Sequence, residues 1–278
     1  MTARVTRVAP TAAGCGRCEG VGLYYDRQVQ VGRYGQLRLC PCVTAVCRCG
    51  GQPPFRYWDE AQHQQWCPCA GYRRRLWEAN RLFAQAEIPE RYRWKFLDDF
   101  HRQAGDGTAV PFADQVLVQV GDLLGSSEEP RRGFLFHGCA GSGKTLLGCI
   151  ILNELMVRWG KPARFLNLSR KYFERLRDTY SAESAHYGQT WQIMEELCSL
   201  PFLMLDDFGT QRGTDWEMEM LYNLVDARYG DERFTLITTN RPLSELGELS
   251  QGRIHSRLTE MCRFVGMDGL DFRRHMPA

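Results

Sequence analysis

The chain has 278 residues, which allows two domains or one domain with an appendage. Apolar residues make up 44% and charged residues 24%, an ordinary globular composition, and no apolar run approaches the length of a bilayer span. The formal charge is only +2, so any nucleic-acid surface must be local; MTARVTRVAPTAAG has no apolar stretch of signal-peptide length, and a cytoplasmic location is expected.

The first feature in chain order is cysteine. Eight of the twelve cysteines fall in four pairs: Cys15 and Cys18, Cys40 and Cys42, Cys47 and Cys49, Cys67 and Cys69. In a reducing compartment disulfides are disfavoured. Tetrahedral zinc is the expected use, because four thiolates satisfy that ion without redox chemistry. CGRCEGVG places glycines just after a cysteine pair, where backbone N–H groups can turn toward sulfur. The simplest pairing gives Cys15, Cys18, Cys40 and Cys42 one ion, and Cys47, Cys49, Cys67 and Cys69 a second. One or two Zn²⁺ are therefore expected; interleaved pairing, His63 as a rival ligand, and an iron–sulfur cluster are the alternatives. With four sulfurs per ion no position is left for a catalytic water, so the metal would be structural. After Leu76 the composition turns to apolar runs alternating with amphipathic stretches. The expected organisation is a cysteine-rich module over 1–75, a helical lead-in over 76–108, and a nucleotide-binding domain over 109–278.

The next feature is a short apolar strand, Gly133–His137, followed by Gly138-Cys139-Ala140-Gly141-Ser142-Gly143-Lys144-Thr145 and an apolar helix that Gly160 would cap. Strand, glycine loop and helix form the context in which G-x-x-x-x-G-K-[ST] binds phosphate. Backbone N–H groups of the loop wrap the phosphates, and the helix N-terminus adds partial positive charge. Lys144 is expected to reach the β- and γ-phosphates of ATP, and Thr145 to ligate Mg²⁺.

Farther on, PFLMLDDFG reads as a buried parallel strand ending in Asp206 and Asp207, where open α/β sheets place ligands. Asp206 would hold Mg²⁺ through water, and Asp207 would orient or deprotonate the attacking water. FTLITTN is a second β-rich run ending in Thr239 and Asn240. GRIHSRLTEMC places Arg253 and Arg257 four residues apart on a helix.

In that order, these pieces and the closing GLDFRR resemble the AAA+ ATPases of the DnaC/DnaI helicase-loader and IstB group, from about Ala79 to Arg274. LDDFGT is similar to its Walker B sequence and ITTNRPLSEL to its sensor 1 region. The resemblance implies that Asn240 is sensor 1. Arg257 takes the arginine-finger place, completing a neighbour's site, and Arg273 that of sensor 2, with Arg274 its alternative. It implies a three-layer α/β/α P-loop sandwich on a parallel sheet, with ATP between subunits of an oligomer that forms on ATP binding. The chain ends four residues after Arg274, which leaves room for a minimal lid only. The cysteine-rich opening resembles zinc modules at the N-termini of loader-like proteins, and Val43–Cys69 departs from them as an insertion with its own metal site.

NLSRKYFERLRDTY reads as a helix with Phe173 and Leu176 on one face and Arg170, Lys171, Arg175 and Arg177 on the rest. In the resembling group this region lines a channel for single-stranded DNA. Arg170, Lys171 and Arg175 are therefore the expected phosphate contacts, with a solvated helix face as the alternative. The expected partner is a replicative hexameric DNA helicase. The alternatives are a transposase, as for IstB, and a zinc adaptor whose nucleotide site is regulatory.

Overall fold

The computed structural model describes residues 14–18, 20–31, 34–168, 172–210, 214–248, 252–269 and 271–272. The chain divides into two compact units, Met1–Ala84 and Gln85–Ala278. No helix among the described residues is long and apolar enough to cross a membrane.

The first unit holds two antiparallel hairpins. β1 (Leu23–Val31) pairs with β2 (Tyr34–Leu39), and α1 (Pro41–Thr44) follows. β3 (Arg56–Trp58) pairs with β4 (Gln64–Trp66), in register Arg56 to Trp66 and Trp58 to Gln64. α2 (Ala70–Gln85) runs through residues 75 and 76. One buried cluster of this unit is Cys18, Cys40, Val43, Cys67, Cys69 and Tyr72, and Leu23, Leu37, Leu82 and Phe83 are buried as well. The Tyr72 ring is fully buried against Gly22, where a Cβ would fall 2.0 Å from Tyr72 Cδ1. Metal ligation by the paired cysteines would add folding energy to this apolar burial.

The second unit is an α/β/α sandwich. Its helices are α3 (Ala113–Gly125), α4 (Lys144–Trp159), α5 (Phe173–Asp178), α6 (Thr190–Ser199), α7 (Asp215–Gly230), α8 (Leu243–Glu248) and α9 (Arg253–Met261). Its strands are β5 (Gly133–His137), β6 (Ala163–Asn167), β7 (Phe202–Asp206), β8 (Phe234–Thr239) and β9 (Cys262–Gly266). They form one parallel sheet in the order β6-β7-β8-β5-β9. Every residue of β7 and β8 is buried, as strands covered on both faces must be. α4 packs on β6, β7 and β8. On the sheet's other face Leu203, Leu205 and Ile237 meet α5, α6, α7 and α9 through Phe173, Leu197, Leu221, Leu224 and Leu258. Gly160 ends α4, its N–H bonding Met156 O at 3.0 Å. Thr214 caps α7 by accepting the Glu217 N–H at 3.3 Å.

α5 ends at Asp178, before the Tyr180 that closes the stretch read as a helix from the sequence. There Thr179 Oγ1 turns back to Leu176 O at 2.6 Å, a local bond that competes with helix continuation. Residues 169–171, including Arg170 and Lys171, lie outside the described residues.

Arg228 of α7 is 1% exposed, and its hydrogen bonds among the described residues go to backbone carbonyls and a threonine hydroxyl. It donates to Leu197 O and Leu200 O at 2.8 Å, to Phe234 O at 2.7 Å and to Thr235 Oγ1 at 3.0 Å. It thus fastens the end of α6 and the start of β8 to α7. Burial pushes its guanidinium down to about 9. Arg228→Ala would leave several buried carbonyls without donors and open a cavity. A loss of about 3 kcal/mol is expected. A thermal midpoint unchanged to within a degree or so would contradict that role.

Candidate functional site

The loop from Gly138 to Thr145 joins β5 to α4 at the C-terminal edge of the sheet, where ligands bind in such folds. Gly141 and Gly143 take φ of 80° and 92°, a backbone that side-chain-bearing residues rarely adopt. These turns aim successive N–H groups, including those opening α4, into one concavity. Lys144 is 6% exposed. Its Nζ donates to Gly138 O at 2.9 Å, to Ser142 Oγ at 3.2 Å and to Cys139 O. Burial lowers its pKa, an effect that an incoming anion would reverse.

The carboxylate of Asp206 is 4% exposed and accepts from Thr145 Oγ1 at 2.9 Å and Thr238 Oγ1 at 2.7 Å. Burial raises its pKa, while the Thr238 bond works against the shift. A hydroxyl and a carboxylate already in contact are the oxygen donors a Mg²⁺ would take. Asp207 sits at φ 59°, which Asp tolerates, and its N–H is held by Thr238 Oγ1 at 3.1 Å. Asn167 Nδ2 donates to Asp207 Oδ2 at 3.2 Å, and lies 3.4 Å from Asp206 Oδ2.

These groups open on a cavity of about 440 Å³. Its lining includes the polar side chains Lys144, Thr145, Asp207, Thr238 and Asn240 and the aromatic ones Tyr92, Phe100 and Phe272. A polyphosphate suits the first and a planar base the second. Arg273 and Arg274 lie outside the described residues. Arg257 is not among the lining residues. It is bonded to Asp226, and to the Tyr222 hydroxyl at 2.8 Å, with its guanidinium 4.9 Å from the centre of the Tyr222 ring. Arg175 lies 3.8 Å from Glu87, which also pairs with Arg164 at 3.0 Å.

Asn167, Thr238, Tyr92, Phe100 and Phe272 are not evident from the sequence. Asn167 carries a faint signal as a polar residue ending an apolar run, ARFLN. Thr238 directly precedes Thr239 and Asn240, but Thr239 turns away to bond Phe208 O at 2.8 Å. The aromatic residues have no local signal, because they reach the cavity only through tertiary packing.

In the first unit the structure brings together Cys15, Cys18, Cys40 and Cys42, and separately Cys47, Cys49, Cys67 and Cys69, each set with its sulfurs within 4.8 Å of one another. His63 is in neither set. Neighbouring sulfurs lie 3.4–3.7 Å apart. The edge of a tetrahedron of sulfurs at about 2.3 Å from a metal is about 3.8 Å, so the donor sets fit such an ion. Backbone N–H groups of Arg17 and Cys18 pull the Cys15 thiol down to about 6, which favours the ligating thiolate. Arg48 N and Arg73 Nε donate to Cys67 and Cys69 sulfurs at 3.3 and 3.4 Å.

Comparison with known proteins agrees with this architecture. The family described as IstB-like ATP binding protein matches residues 120–275. The replicative helicase loader DnaC of Escherichia coli (strain K12) is 27% identical over 125 residues, 45% of this chain and 49% of that protein. The chain thus spans about half the length of the DnaC relatives it matches. The protein YdaV of the same strain is 32% identical over 227 residues, covering 80% of this chain and 84% of its own. The crystal structure of the DnaC helicase loader superposes with a TM-score of 0.56 at 23% identity, covering 64% of this chain and 99% of that one. That of DnaI gives 0.53 at 18%, covering 67% and 95%. At these identities the likeness shows the fold alone.

Replacing Lys144 by Ala removes a charged donor from the phosphate concavity. ATP affinity is expected to fall on the order of 10- to 100-fold in a titration with fluorescent ATP. Equal binding by the two proteins would show that this concavity is not where the triphosphate sits.

Proposed function

The chain belongs to the family of IstB-like ATP binding proteins, and from that premise we propose that it hydrolyses ATP to load a replicative hexameric DNA helicase onto single-stranded DNA in the cytoplasm. The observation that carries this reading is the similarity, over 125 residues, to proteins named replicative helicase loader. The triad Thr145–Asp206–Thr238 and the cavity beside it supply the chemistry.

In this reading the N–H groups of residues 141–145 receive the phosphates, and Lys144 leaves its carbonyl partners for the β- and γ-oxygens. Thr145 and Asp206 would hold Mg²⁺, which when bound would supply positive charge against the transferred phosphoryl group. Asp207, released from Asn167, orients the attacking water, and Asn240 positions it from the opposite wall. Arg273 touches the γ-phosphate from within its own subunit. Arg257 serves a neighbour, so hydrolysis needs an oligomer; an arginine supplied this way is worth about 10³–10⁵ in rate where measured. Residues 1–75 dock the partner, residues 76–108 connect, and residues 109–278 hydrolyse ATP. Arg170, Lys171 and Arg175 track the DNA backbone, with Arg175 partly neutralised by Glu87.

The two four-sulfur clusters hold zinc in this reading, one ion each, and fold the docking unit. Zinc binding of about 10–16 kcal/mol in finger peptides is ample for a core of this size. The purified chain is expected to contain two zinc ions, and Cys67→Ser with Cys69→Ser is expected to leave one. A content of one in the unaltered protein would remove the second site.

The functional test is a pull-down with the tagged chain in ATP, compared with Lys144→Ala. A hexameric helicase recovered with the unaltered chain, and at least about tenfold less with the variant, is the expected result. Recovery of a transposase would replace the reading by that of a transposition ATPase. A helicase held equally by both proteins would mean that the nucleotide site is regulatory only.

A further inference from the structure

The β3–β4 hairpin carries side chains that neither the metal sites nor the nucleotide site uses. Its two strands pair Arg56 with Trp66 and Trp58 with Gln64, so these four residues share one face. Trp58 is 65% exposed and Trp66 56%. The Arg56 guanidinium lies 4.3 Å from the centre of the Trp66 ring and donates to Gln64 Oε1 at 2.9 Å. The face therefore presents two exposed indoles, one of them with the Arg56 guanidinium against its ring.

The hairpin is held at both ends. Cys67 N donates to Phe55 O at 2.8 Å, tying its base to the second cysteine cluster. At the tip Asp59 accepts from Ala61 N at 3.1 Å, His63 N at 2.8 Å and Gln65 Nε2 at 3.1 Å. That carboxylate is turned into its own loop and its charge is locally engaged. Strands of three residues held in this way keep the rings in place, which lowers the ordering entropy of binding. An open hollow of about 440 Å³ adjoins, lined by Arg48, Cys49, Arg56, Tyr57 and Trp58 and, at the tip, by Asp59 and Glu60.

The chemistry selects the occupant. The strands, Arg56-Tyr57-Trp58 and Gln64-Gln65-Trp66, contain no aliphatic side chain. Planar rings, amides and a guanidinium stack on and hydrogen-bond to bases, whereas a protein groove would offer aliphatic area. Charge agrees. Residues 1–84 carry twelve arginines and no lysine against five acidic side chains, while the remainder carries 23 cations against 28 anions. Two zinc–thiolate centres of charge about −2 each would still leave the first unit positive.

We propose that the Trp58–Arg56–Trp66 face of this hairpin is a stacking platform for single-stranded DNA, a second contact outside the ATPase unit. The proposal rests on the reading of the chain as a single-strand binder and adds a site to it. Bases stack on Trp58 and Trp66, and Arg56 meets the intervening phosphate.

The test is fluorescence anisotropy with a labelled oligo-dT of about twenty nucleotides and the full-length, zinc-loaded chain without ATP. Trp58→Ala and Trp66→Ala are each expected to weaken binding about tenfold, with the salt dependence and the zinc content unchanged. Arg56→Gln is expected to lower the salt slope by about 0.7. Trp58→Phe and Trp66→Phe keep an aromatic plane and are expected to retain most of the affinity. Alanine variants that bind like the unaltered chain overturn the proposal, as does a loss that Phe does not restore. Arg170→Ala with Lys171→Ala separates the two contacts. If that pair abolishes binding while the hairpin variants do not, the ATPase-unit contact stands and the platform falls. If the unaltered chain does not bind the oligonucleotide, both fall. Hairpin variants that keep DNA affinity but lose the helicase in a pull-down identify a protein face and overturn the platform.

Discussion

The Asp206 carboxylate ties the ATPase unit together. It ends β7, and it receives one hydroxyl from Thr145 at the start of α4 and another from Thr238 on β8. A buried carboxylate is costly unless hydrogen-bonded, and these two donors offset that cost. Meeting the cost brings the phosphate loop, the acidic strand and the neighbouring strand to one point. Thr238 also holds the Asp207 N–H, so the second carboxylate is aimed by the same hydroxyl. A single polar knot thus aligns the groups that the proposed hydrolysis needs, and Arg228 fastens the far ends of α6 and β8 in the same way, one side chain serving several partners.

The first unit follows a different physics. Its interior combines four buried cysteines with Leu23, Leu37, Val43, Tyr72, Leu82 and Phe83. Metal coordination would add to this burial, because four thiolates at a tetrahedral spacing define a rigid centre with few residues. Trp58 and Trp66 stay exposed on the surface of this unit.

Arg257 illustrates how a side chain can be placed without being in its site. Asp226, Tyr222 and Tyr229 of α7 surround its guanidinium in the same chain. Asp226 raises its already high pKa, so the charge is permanent. The side chain is held by contacts within its own chain and is not among the residues that line the cavity.

Much of the ATPase unit was legible because its signals are local. Gly138–Thr145 needs only its own glycines and the helix that follows, and continuous apolar runs such as Phe202–Leu205 mark strands covered on both faces. The cysteine pairs were legible for the same reason, since metal ligands one or two residues apart announce themselves in spacing. The base-facing aromatic residues and Asn167 were not legible. Tyr92 and Phe100 lie far from the phosphate loop in sequence, and Asn167 meets Asp206 only because β6 and β7 are adjacent and in register. By itself the sequence determined which chemical groups are present and which local turns they make, since those depend on φ, ψ and neighbours within a few residues. The strand order β6-β7-β8-β5 decided which strand ends share an edge, because pairing across a parallel sheet is non-local and no short stretch of chain encodes it.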